Sequence, residues 1–190
     1  MLLLVAGLLV FLGTHSLSIA APGVRARLVG RMGEGPWKGL YSVVSLAAFV
    51  LLVAGFASAR ESSVILYHPP AAARYVALVL MVPVFPLLLA AYLPGRIRST
   101  LKNPLLAATE AWAFSHLLAN GSLADVLLFG SFLAWAVADR ISLKRRAPRA
   151  IPMAPAGRFN DAIAVVAGLA SYALFIAGLH QRLIGVAPLG

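Results

Sequence analysis

The sequence contains no cysteine. Disulfides, thiolate nucleophiles and iron–sulfur ligation are thereby excluded, and any metal chemistry falls to nitrogen and oxygen ligands. Acid is scarce too: six Asp and Glu stand against sixteen Lys and Arg, a net charge of +10. Most of all, the chain lacks enough polar sequence to clothe a soluble domain. Hydrophobic residues make up 61% of it and the mean hydropathy is +0.90, whereas soluble domains run at about half apolar residues. Most of the surface must therefore face lipid.

A helix needs about 20 mainly apolar residues to cross the hydrocarbon layer. Six stretches meet or approach that length: 2–20, 39–58, 75–94, 104–119, 123–139 and 161–180, two of them on the short side. The sequence thus predicts an all-α polytopic transmembrane bundle of about six spans, one domain over 1–190. The opening "MLLLVAGLLVFLGTHSLSIAAPG" has small residues at Ala20 and Ala21, as a signal peptide would. It lacks the basic n-region, and its apolar run exceeds the usual h-region, so it is read as the first span.

The basic residues are unevenly spread. With the N-terminus outside, the loops at 21–38, 95–103 and 140–160 are cytoplasmic and hold 13 of the 16 Lys and Arg, leaving Arg60, Arg74 and Arg182 opposite. This is the positive-inside pattern of a membrane protein. Lipid headgroups suffice as partners for "SLKRRAPR", and nucleic acid is not expected. In "VRARLVGRMGEG", Val24, Leu28 and Met32 recur every four residues, which predicts a short interfacial helix. Pro83 and Pro86 predict a kink in the third span. Ser122 and Asp125 have capping-box spacing before the fifth span, and Asn160 with Asp161 is expected to cap the sixth.

Ionisable residues inside spans point to function. His15, Glu110 and His116 qualify; Asp139 and Arg140 read as a pair at the membrane edge. Either histidine alone could be a neutral imidazole bonded to a backbone carbonyl. Two on different spans, beside aromatic and small residues, suggest ligation, since imidazole is the common nitrogen ligand for transition metals and haem iron. Catalytic zinc usually takes three protein ligands, and Glu110 is turned away from the face of His116 six residues later. Haem needs one or two axial ligands, an apolar slot and cations for its propionates, so it is the better reading. Gly7, Gly13 and nearby alanines would leave room for the ring. Arg25, Arg27, Arg96 and Arg98 would be the propionate partners. His68 is a rival second ligand, though both His68 and His180 read mainly as solvated loop or helix-end residues. Glu110 would pair with a basic residue or a hydroxyl such as that of Thr109, or hold a proton.

The segment "STLKNPLLAATEAWAFSHLLANGSLADVLLFGSFLAWAV" resembles the signature of the NnrU family, which includes the 15-cis-ζ-carotene isomerases of plants and cyanobacteria. "FLGTHSL" and "RARLVGRMGEGPWKGLYSVVSL" are similar to that family's N-terminal motifs, and the likeness covers nearly the whole chain. It implies an inner-membrane protein that binds haem b, with His15 and His116 as axial ligands and Trp112 at the family tryptophan's place. It also implies redox-dependent cis-to-trans isomerisation of a lipophilic carotenoid, which calls for an electron donor, or a role in nitrite and nitric oxide metabolism. Lys102-Asn103-Pro104 stands where the family has Arg-His-Pro, so the histidine expected at 103 is absent.

Overall fold

The computed structural model describes residues 1–146 and 151–189; Arg149, one of the predicted cytoplasmic cations, lies outside them. The described chain is helical, without strands beyond an isolated antiparallel bridge between Ile65 and Ser122. Four helical stretches are long and apolar enough to cross a membrane: Leu2–Ala20, Glu34–Glu61, Ala71–Ala90 and Asn160–Ile184. They correspond to the predicted first, second, third and sixth spans. The fourth predicted span forms one helix of 16 residues, Pro104–Ala119, and the fifth forms Leu123–Ser142, with Asp125 in its first turn and Arg140 in its last.

The chain divides into two compact units. The first comprises Met1–His68 and Gly121–Ser142. It contains α1 (Leu2–Ala20), α2 (Pro22–Met32), α3 (Glu34–Glu61) and α8 (Leu123–Ser142). Helices α1 and α3 lie side by side because glycines let their backbones meet. A β-carbon on Gly55 would come within 2.5 Å of the Leu4 nitrogen, and one on Gly7 within 2.7 Å of Leu52 backbone atoms. The pairs 4–55 and 7–52 run in opposite senses, so the helices are antiparallel. Small residues are the usual means of such close approach in lipid, where apolar side chains gain little by leaving the solvent. Gly7 therefore serves helix packing, not the clearance for a ring that its position suggested; around Gly13 nothing lies within 4 Å of an added β-carbon.

The end of α3 is clipped to the start of α8. Leu66 N–H donates to the Gly121 carbonyl at 2.8 Å, Leu123 N–H to the Val64 carbonyl at 2.8 Å, and Ala124 N–H to Ser63 Oγ at 2.9 Å. The expected capping box forms: Asp125 N–H donates to Ser122 Oγ at 3.2 Å, and Ser122 N–H donates to the Asp125 carboxylate at 3.1 Å. Beside this clip, burial and then the Asp125 carboxylate push the Tyr67 phenol above its usual value.

The second unit comprises Pro69–Asn120 and Leu143–Gly190, described as far as 189. Here lie α4 (Ala71–Met81), α5 (Val84–Ala90), α6 (Arg96–Leu101), α7 (Pro104–Ala119), α9 (Asn160–Leu174), a π-helical stretch Phe175–Leu179 and α10 (His180–Ile184). The predicted kink is the break between α4 and α5 at Val82–Pro83. Val82 N–H bonds the Val79 carbonyl at 3.2 Å instead of continuing the α pattern to Leu78. The freed Leu78 carbonyl accepts the Tyr172 hydroxyl of α9 at 2.7 Å. Next to that bond, Gly168 lets α9 lie directly on the Pro86 backbone. Tyr172→Phe removes the only hydroxyl that reaches this carbonyl among the described residues. An unsatisfied buried carbonyl costs about 1–3 kcal/mol, so thermal unfolding in detergent should show a loss of that order, with α4–α5 opening first.

The cap expected at the start of α9 is built differently. Asp161 accepts Arg96 N–H at 2.7 Å and Ile97 N–H at 3.1 Å, so it caps α6, not its own helix. Asn160 holds the Pro94 and Pro155 carbonyls at 2.8 and 3.0 Å. A local spacing rule cannot show this, because all of these partners but Pro155 lie 64 to 66 residues away.

Candidate functional site

In the first unit His15 sits on α1 in an aromatic nest. Phe11, one turn earlier, stacks on the imidazole with ring centroids 4.2 Å apart. Tyr41 of α3 and Trp135 of α8 meet it edge-on at 5.5 and 6.1 Å. Phe132 packs against Phe11 at 5.7 Å. His15 Nδ1 lies 2.7 Å from the Phe11 carbonyl oxygen. A carbonyl only accepts, so Nδ1 carries the proton; in the neutral ring Nε2 then keeps its lone pair. The indole Nε1 of Trp135 is buried without a hydrogen-bond partner among the described residues.

In the second unit His116 repeats this local chemistry on α7. Its Nδ1 lies 2.8 Å from the Trp112 carbonyl oxygen, and the Trp112 ring lies 5.4 Å away. The same tautomer follows. The last turn of α7 is fixed by Asn120, whose backbone and side-chain amides both donate to the His116 carbonyl at 2.9 Å. Thr109 gives its hydroxyl proton to the Leu105 carbonyl at 2.9 Å, and not to the half-buried Glu110 beside it.

Of the expected propionate partners, Arg25 is half-buried on α2 and Arg27 is exposed there, its Nε 3.4 Å from the Gly23 carbonyl. Arg98 on α6 is half-buried, and its guanidinium donates to the Ala91 carbonyl at the end of α5; Arg96 is exposed beside it. The rival ligand, His68, is exposed in the loop after α3. His180 Nδ1 bonds the Val186 carbonyl at 2.7 Å, which fits a helix-end residue. Among the described residues no three His, Asp or Glu side chains gather as a group that could hold a metal ion.

Sequence reasoning missed Tyr41, Phe132 and Trp135. All three are distant from His15 in the chain, and an aromatic inside an apolar span carries no signal of which helix it will face. The entry to α7 was also invisible. Lys102 has φ 61° and ψ −44°, and Asn103 N–H reaches back to the Leu101 carbonyl at 2.6 Å, the rare, strained form of the γ-turn. Asn103 then stands at the N-cap of α7 without a side-chain cap bond.

The sequence profile of one family, described as NnrU protein, matches residues 3–188 of the 190. No curated protein matches the chain, and neither does any solved structure.

Proposed function

Because the chain belongs to the NnrU family, we propose that it is a haem b protein of the bacterial inner membrane, acting as a redox-controlled cis–trans isomerase of a lipophilic polyene. The observation that carries this reading is the matched state of two histidines on different helices. Each holds Nδ1 against the carbonyl four residues back, at 2.7 and 2.8 Å, so that in this reading Nε2 of each would be the ligating nitrogen. Backbone bonding of this kind is how metal-ligating histidines have their tautomer and ring orientation fixed. His15 and His116 are the residues that would hold the iron. Trp112 and Phe11 restrict the two rings.

Iron porphyrin held this way would supply one-electron chemistry to a conjugated chain. The protein's own part is to orient two imidazoles through their Nδ1 bonds, to seat a flat apolar ligand and to offer cations at the membrane edge. Half-buried Arg25 and Arg98 suit propionates better than exposed Arg27.

The proposed topology is six spans with the N-terminus in the periplasm. Phe11–Phe132 and His15–Trp135 pair in the same order along α1 and α8, so these helices run in parallel, and α8 starts where α3 ends. In this reading residues 69–120 leave one membrane face and return to it, an even number of crossings. The α4–α5 stretch and α7 supply two. At 1.5 Å per residue α7 reaches about 24 Å, enough to cross where the bilayer thins around it.

The second reading is a haem protein without catalysis that supports nitrite and nitric oxide metabolism. Asn103, in place of the family histidine, favours it. Supplying a poly-cis carotene and a reductant to haem-loaded protein, and following isomers by chromatography, separates the two. The first reading expects reductant-dependent conversion to the trans isomer. Full haem loading with no conversion would leave the second, and failure to take up haem at all would end both.

A further inference from the structure

The short helix α2 has properties that neither the histidines nor the bundle uses. It joins α1 to α3, two antiparallel membrane-spanning helices, so it lies at the face where α1 leaves the bilayer and α3 enters it. Gly33, with φ 84°, turns the chain from α2 into α3. No residue of α2 is buried. At 100° per residue, Val24, Leu28 and Met32 form one narrow stripe; Val24 and Met32 are 38% and 39% exposed. Arg27 and Arg31 follow one edge of the stripe and Arg25 the other. The helix contains no acidic residue, and the ion pair nearest to it, Lys38 with Glu34 at 3.4 Å, is made within α3. Arg27 and Arg31 have no ion pair among the described residues.

An apolar stripe edged by unpaired arginines, held at the end of a membrane span, fits one environment well. The stripe enters the headgroup–acyl boundary while the arginines reach outward to phosphates. A neutral headgroup would satisfy the stripe alone; the arginines add a preference for net negative charge. We propose that α2 is an anionic-phospholipid binding surface, with Arg27 and Arg31 as the headgroup contacts and Val24, Leu28 and Met32 as the apolar seat. This rests on α2 and its two flanking spans, and is independent of haem.

The test uses the full-length protein in detergent, relipidated with phosphatidylcholine alone or with added phosphatidylglycerol, with lipid retention read by native mass spectrometry. Wild type is expected to retain phosphatidylglycerol selectively, and salt should weaken that preference. Arg27→Gln with Arg31→Gln should lower phosphatidylglycerol retention on the order of 30-fold, from about fivefold per basic residue at a membrane surface, and leave phosphatidylcholine retention unchanged. Arg27→Lys with Arg31→Lys should keep most of the selectivity, and Arg182→Gln in α10 should keep all of it. Equal retention of the two lipids by wild type, or undiminished selectivity in the double glutamine variant, would overturn the proposal. So would a double glutamine variant that keeps its lipid but changes oligomeric state, which would assign the surface to a second copy of the chain.

Discussion

His15→Ala and His116→Ala, each purified after expression with ample haem, are expected to lose the split low-spin bands that the reduced wild type should show. Loss of an outer hydrogen-bond partner of a metal-ligating histidine already costs about 10–100-fold in affinity, so loss of the ligand itself should weaken haem retention by on the order of 100-fold or more. The two changes should not add. Once one imidazole is gone the low-spin state is gone, and the double variant should look much like the worse single one. A conservative control distinguishes ligation from folding: His15→Gly or His116→Gly, given free imidazole, should regain the low-spin bands. His68→Ala should leave the spectrum unchanged, because His68 is exposed, unlike His15 in its aromatic nest. If His68→Ala removed the bands and His116→Ala spared them, the rival ligand would be the true one.

The second large effect is expected at the α1–α3 contact. Gly55→Leu places a branched side chain where even a β-carbon would lie 2.5 Å from the Leu4 nitrogen. Backbone cannot move aside as a flexible side-chain tip can, so the two helices must separate. Overpacking a well-fitted contact typically costs about 1–3 kcal/mol, occasionally more, and here the obstruction is main chain, so the upper end is expected. Because α1 carries His15, the damage should extend to haem retention, while Gly39→Leu, exposed on α3 with nothing within 4 Å of its β-carbon, should change neither. Thermal unfolding in detergent and haem content per chain measure both. Similar values for the two leucine variants would mean that the close crossing contributes little.

Local features of the sequence translated well into local structure. Pro104 and the turn after Ala119 bound α7 at 104 and 119 as predicted, because proline at a helix start and a polar turn at its end act within a few residues. The Ser122–Asp125 capping box and the break at Pro83 formed for the same reason. Tertiary relations were not legible. Asp161 looked like the cap of its own helix, since the spacing rule is local, yet it caps α6 through Arg96 and Ile97. Gly7 looked like clearance for a cofactor and proved to be the contact point with α3. Both histidines stood out as costly polar groups in apolar runs. Their shared bond to the carbonyl one turn back is a consequence of helix geometry that the sequence leaves open, since a hydroxyl or a carboxylate elsewhere could equally have taken Nδ1.

The central claim is that the lone pairs of His15 and His116 bind the same iron. Low-temperature electron paramagnetic resonance of the oxidised, haem-supplied protein tests it most directly. Ligation by both histidines should give a low-spin ferric signal characteristic of two imidazoles at one haem per chain, replaced by a high-spin signal, or none, in either single alanine variant. A wild-type preparation that is high-spin at full loading, or a low-spin signal that persists in both alanine variants, would contradict it.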